Sequence, residues 1–216
     1  MKQIIMLLAI AAVSAAVIVL PSVALAVEGD IPLHMGPLPT SASSIAGGKA
    51  IIQTQFGSQI ACKEVKGTAT WENSTTGHIK LAFQNDCTFG EPCESVETTE
   101  LQFHLVTLPL NAPGMLITTN AGHFATFFCG YGLVEAVLTG NGVIGVIVSP
   151  ACGAESNIVT IRFELEGDAQ KQKKVEGTAT EYHLDGSANR GEKGEVGLST
   201  ELLLTFPEDK KTLQCT

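Results

Sequence analysis

Glu181, His183 and Asp185 alternate along one short stretch, with Tyr182 and Leu184 between them. On an extended strand such residues share a face, so two carboxylates and an imidazole would stand in a row. That set suits ligation of a divalent cation or orientation of a general base. A charged strand face turned to solvent gives the same pattern. Ser187 lies nearby in sequence, yet no Gly-x-Ser-x-Gly elbow presents it, and catalytic triads assemble in space rather than by adjacency. His34, His78 and His123 are scattered without a ligand-type partner two residues away, and His104 alternates with Phe103 and Leu105 so as to turn from the core. Glu91, Glu94, Glu97 and Glu100 surround Cys93 with oxygen ligands of the kind calcium takes. The Asp-x-Asp-x-Asp-Gly loop is missing, and a solvated acidic loop is the simpler reading. Asn73-Ser74-Thr75 fits an N-glycosylation sequon on a turn.

Thiol chemistry is the more informative signal. Cys62, Cys87, Cys93, Cys129, Cys152 and Cys215 are even in number and follow an export signal. Lys2 precedes an apolar run from Ile4 to Leu20; Pro21 breaks it, and Ala24-Leu25-Ala26 offers small residues for cleavage after Ala26. The run also approaches spanning length, which leaves an uncleaved anchor as the alternative. No cysteine follows the run to carry a lipid. Six thiols in an exported chain imply disulfides formed in an oxidising space. Zinc sites need closely spaced pairs such as C-x2-C, and the tightest spacing here is Cys87 to Cys93. No residue pattern calls for a metal or other cofactor.

The formal charge is −9, and it drops by one more when Lys2 is removed. Arg162 and Arg190 are the only arginines. A basic nucleic-acid-binding face is therefore excluded, and docking on anionic lipid is disfavoured. With 44% hydrophobic residues the chain can build a full core without staples. Its cysteines thus speak of compartment more than of folding need. The partner expected is an extracellular or cell-envelope one of unspecified kind, with no membrane insertion after cleavage, and the oligomeric state is open.

The elements that must position these groups are strands. Residues 27–46 carry Pro32, Pro37, Pro39 and a Ser-rich end, and read as an extended lead-in to a single all-β domain over 47–216. Short β-type runs then alternate with turn signals, near 49–56, 58–72, 78–85, 97–105, 115–119, 123–129, 133–139, 143–149, 157–166, 173–184 and 194–206. No stretch after the signal shows the helical recurrence of apolar residues without Gly interrupting it. The expected fold is all-β, an antiparallel β-sandwich or open barrel built of hairpins. Alternation also suits an outer-membrane barrel, but six cysteines and Gly-broken strands oppose it.

Pairing Trp71 with Ile79 aligns Val65, Ala69 and Trp71 with Ile79, Leu81 and Phe83 on one face. Cys62 then meets Cys87 only if a β-bulge near Lys63-Glu64 inserts one residue. A hairpin at Gly140-Asn141 would pair Thr139 with Gly142 and bring Cys129 opposite Cys152. Elimination leaves Cys93 with Cys215, and a small loop closed by Cys87 and Cys93 is the rival. The stretches before Cys62 and before Cys129 are also loosely alike, from duplication or from convergence. Residues 185–194 read as a long polar connection, and residues 111–114 as a turn.

Several segments resemble a group of uncharacterised exported proteins predicted from actinobacterial genomes. They are Ile60-Ala61-Cys62-Lys63, Asp86-Cys87-Thr88, Leu101 to Leu105, Ile117 to Gly122, Leu138 to Gly145, Ser149 to Gly153, and Glu176-Gly177-Thr178 with Glu181-Tyr182. Cys215 lies outside the shared pattern. The resemblance implies export and fold and brings no activity with it. Two readings of function follow: a secreted or envelope-associated binding or structural module without catalysis, or an exported hydrolase or metal-dependent enzyme using the Glu181, His183 and Asp185 face. A third, an inhibitor or adhesion protein, would show an exposed apolar patch.

Overall fold

A computed structural model describes residues 34–37, 42–54, 57–94, 96–119, 121–189, 191, 193–207 and 210–215. The signal segment over 1–26 and most of the lead-in lie outside the described residues. The chain is all-β and antiparallel. Thirteen principal strands are β1 Ser43–Gly47, β2 Ala50–Thr54, β3 Gln59–Cys62, β4 Glu64–Trp71, β5 Thr76–Gln84, β6 Leu101–Leu108, β7 Ala112–Thr118, β8 His123–Cys129, β9 Val134–Gly140, β10 Gly142–Ser149, β11 Ile158–Phe163, β12 Leu184–Ala188 and β13 Gly194–Thr205.

Eight of them close into a barrel in the order β1-β4-β5-β6-β7-β10-β11-β13, with β13 returning to pair β1. Strict alternation explains the closure. In β5, Gly77, Ile79, Leu81 and Phe83 are buried while the residues between them are not. A sheet with one apolar face buries it by curling on itself, which also removes the open edges. The interior is filled: Phe83, Phe103, Phe163 and Phe206 are all below 2% or at 2% exposure. Each such side chain contributes roughly 1.5–3 kcal/mol by leaving water. Trp71 meets Phe103 edge-on at 4.8 Å between ring centroids.

β13 is twelve residues long and serves two sheets. Its second half pairs β11 and β1 in the barrel, and its first half pairs β12 and β2. From there a second sheet runs β8-β9-β12-β13-β2-β3 and on to a tight finger, Thr88–Phe89 against Glu91–Pro92. The finger brings Cys93 beside Cys129 of β8. Gly130 N–H donates to Pro92 O at 2.8 Å and Glu94 N–H to Phe128 O at 2.9 Å. The second sheet therefore closes as well, into a smaller ring that shares β13 and one continuous core with the barrel.

All six cysteines are paired: Cys62–Cys87, Cys93–Cys129 and Cys152–Cys215. The first bond is the one expected, and so is a one-residue register shift beside it. The ladder of β4 and β5 sets Glu64 against Gln84, whereas the next pair is Ala61 against Thr88. The extra residue sits on the Cys87 side, where Asn85 and Asp86 have φ of 58° and 52°, rather than at Lys63-Glu64. Trp71 faces Gly77, not Ile79, because Asn73 Oδ1 accepts the Thr75 and Thr76 N–H groups and tightens the turn.

Cys129 does not pair with Cys152, nor Cys93 with Cys215, nor Cys87 with Cys93. The Gly140-Asn141 hairpin behind the first of these pairings does not form. Gly140 pairs with Leu184 and Gly142 with Thr118, so the chain crosses there from ring to barrel. A Cβ on Gly140 would lie 2.3 Å from His183 O, and one on Gly142 2.7 Å from Ile117 O. Both glycines are set by close backbone approach rather than by a turn.

The expected strand over 173–184 is instead a strap. Glu176 N–H donates to Thr107 O at 2.8 Å, and Val175 and Tyr182 cover the outward residues Val106, Leu108, Leu116 and Ile144. The supposed polar connection after it contains β12, and the turn placed at 111–114 falls at Pro109–Asn111. Ser43–Gly47, in the expected lead-in, is barrel strand β1. Two short pieces flank the rings: His34–Gly36 and Glu155–Ser156 lie on either side of Lys211–Gln214, which Cys215 ties to Cys152.

Candidate ligand pocket in the second ring

Large buried side chains fill the barrel interior, whereas the ring encloses an open space. Between β2, β3, β9 and β12 lies a cavity of about 240 Å³, open on one side. Ile52, Ile60, Leu138 and Phe89 line it, together with the small residues Ala136, Gly186, Ala188, Gly191 and Gly194. Ala136 and Ala188 carry only a methyl group, too little to fill the space, whereas Gly186 makes room for Val196, whose Cγ1 lies 2.6 Å from where a Cβ would stand. Thr54, Ser58 and Ser187 are the polar residues of the lining. Thr54 Oγ1 already donates to Ser58 O at 2.9 Å.

The wall carrying Phe89 is short and would not hold alone. Thr88–Phe89 and Glu91–Pro92 turn about Gly90, whose φ is +73°. Cys62–Cys87 fastens one end of this finger to β3, and Cys93–Cys129 fastens the other to β8. The two bonds hold the ring closed on either side of Phe89.

Among the described residues no titratable side chain lines the cavity. Among the described lining residues no base stands with its serines, and the apolar lining suits binding. Sequence reading missed this site because no residue in it is chemically conspicuous. The signal was the small residues Gly186, Ser187, Ala188, Gly191 and Gly194, set in a polar stretch that reads equally well as a loop.

Glu181, His183 and Asp185 stand outside the cavity. Glu181 pairs with Lys174 at 2.9 Å, and that hydrogen bond holds its carboxyl below the usual range. His183 Nε2 lies 3.7 Å from Asp185 Oδ2. Asp185 faces Glu195 across the ladder, and Glu195 is met by Lys173 at 2.5 Å. Each acid thus has its own basic neighbour on a partly solvated face. Among the described residues no three His, Cys, Asp or Glu side chains group as a metal site.

The other polar candidates are also placed. Glu91, Glu94 and Glu100 are exposed. His78 binds Glu72 at 2.8 Å, and His123 binds Thr126 at 3.0 Å. Tyr131 is 98% exposed and Leu133 81%, at the turn between β8 and β9. Comparison with protein-family models, curated proteins and solved structures gives no match to this chain.

Proposed function

We propose that this is an exported, non-catalytic binding protein whose ligand site is the open cavity of the second ring. The cavity carries the reading: a closed, cross-braced ring of strands surrounds an apolar space of about 240 Å³. Small ligand sites often lie in the mouths of such rings. Three disulfides agree with an oxidising compartment, and the Ala24-Leu25-Ala26 site with cleavage before Val27. The barrel has its apolar face inward and Lys66, Arg162 and Glu201 at least partly exposed on its outside, the reverse of a membrane barrel. The resemblance to exported actinobacterial proteins supports the same compartment.

The test is to purify the oxidised protein from the exported fraction and analyse its bound small molecules by mass spectrometry. The Ala136→Phe variant, which fills the cavity, is carried alongside. A molecule retained by the native protein and missing from the variant supports the reading. Equal retention by both places binding elsewhere and overturns it. N-terminal sequencing of the exported material should begin at Val27.

A further inference from the structure

We infer that the ligand of this pocket is an uncharged, ring-bearing apolar molecule about the size of one or two fused rings. The inference rests on the pocket being a binding site and adds the class of ligand. Charge decides first. None of the described lining side chains is ionisable, so an ion entering would lose water and gain no counter-charge from them. That penalty is several kcal/mol in general, and it selects neutral molecules.

Size decides second. An apolar cavity of about 150 Å³ accepts benzene, and this one has about 240 Å³. It is smaller than the roughly 300–1,000 Å³ of sites for larger ligands. One ring with a short substituent, or a fused pair, matches that space. Shape decides third. Phe89 offers an aromatic surface on a wall braced at both ends, while Ile52, Ile60 and Leu138 close the remainder. Aromatic surfaces favour a second ring in offset or edge contact. The hydroxyl of Ser58, on the exposed rim, can donate or accept one hydrogen bond. A single hydroxyl or N–H on the ligand is thereby accommodated.

The probes are indole and benzyl alcohol against benzoate and benzylammonium, titrated into the oxidised protein and followed by methyl NMR at Ala136 and Leu138. The neutral pair should bind on the order of 100-fold tighter than either ion. Ser58→Trp, at an exposed position on the rim, should weaken them at least about tenfold by occupying the mouth. It keeps the test valid should Ala136→Phe fail to fold. Charged probes binding as tightly as neutral ones at these methyls would overturn the ligand class and leave the binding site standing. If none of the four binds, or if Ser58→Trp leaves neutral binding unchanged, the site itself is refuted.

Discussion

Asn141 binds the strap at His183 as a strand would. Its Oδ1 accepts the His183 N–H at 2.9 Å, its Nδ2 donates to Glu181 O at 2.8 Å, and its own N–H reaches His183 O at 3.2 Å. One side-chain amide thus completes the ladder where the chain passes between ring and barrel. Asn141→Ala removes both side-chain bonds. At roughly 0.5–1.5 kcal/mol each, the loss should be about 1–3 kcal/mol. It should appear as a lower urea midpoint with an unchanged slope.

Gln170 is a second amide in a backbone role, and it is 2% exposed. It donates to Glu164 O at 3.0 Å and accepts the Leu198 N–H at 2.9 Å, fixing the Leu165–Gln170 hairpin on β13. Gln170→Ala strands a buried N–H and should cost about 1–3 kcal/mol. Gln170→Glu keeps the acceptor and should be rescued in part at low pH, where the carboxyl takes a proton. Chemical denaturation at two pH values checks both.

His104 supplies a pH dependence. It points outward, as alternation requires, but stands opposite Leu116 beside the cluster under the strap. Burial lowers its pKa from the ordinary 6.5, and Glu72 opposes that shift. The folded state therefore prefers neutral His104. Its contribution is full above pH 6.5 and is lost as pH falls from there through the lowered folded value. The stability curve should show an acid-side decline starting near that pH, and His104→Asn should flatten it. An unchanged decline in the variant would assign the effect to other groups.

The three disulfides should yield to a dithiol reductant in an order set by access, since the attacking thiolate must reach a sulfur. Cys152 is exposed and its bond should open first. Cys93–Cys129 comes next, with Cys93 half-buried and Cys129 fully buried. Cys62–Cys87, 2% exposed at both ends, should open last. Ligand binding should survive the first step and fall at the second, when the Phe89 wall loses one anchor. Alkylation of samples quenched over time, read by mass spectrometry beside binding, tests the order.

Much of the scaffold was legible because strands declare themselves by alternation. His123–Cys129 is found at the bounds the pattern implied, and the Cys62–Cys87 bond followed from a one-residue bulge, expected at Lys63-Glu64 and found at Asn85-Asp86. The failures share one physical cause. Gly140-Asn141-Gly142 has the composition of a turn, yet its glycines answer to His183 O and Ile117 O, atoms brought near by the fold alone. With that hairpin assumed, Cys129 was aligned with the wrong partner and the others followed by elimination. The pocket was hidden for a related reason. Small residues at Ala136, Gly186 and Ala188 acquire meaning only when strands distant in sequence face one another. Glu181, His183 and Asp185 drew attention by residue type, and the fold gives each acid a basic neighbour instead.

Because β13 threads both rings, neither has a complete set of hydrogen bonds without the other. Frayed at Val196, the strand uncovers the pocket; frayed at Leu202, it opens the barrel seam between β1 and β11. The molecule should consequently melt as one unit, with heat and denaturant reporting a single transition at every probe. A ligand held among β2, β9 and β12 would then tighten the far end of the barrel without touching it.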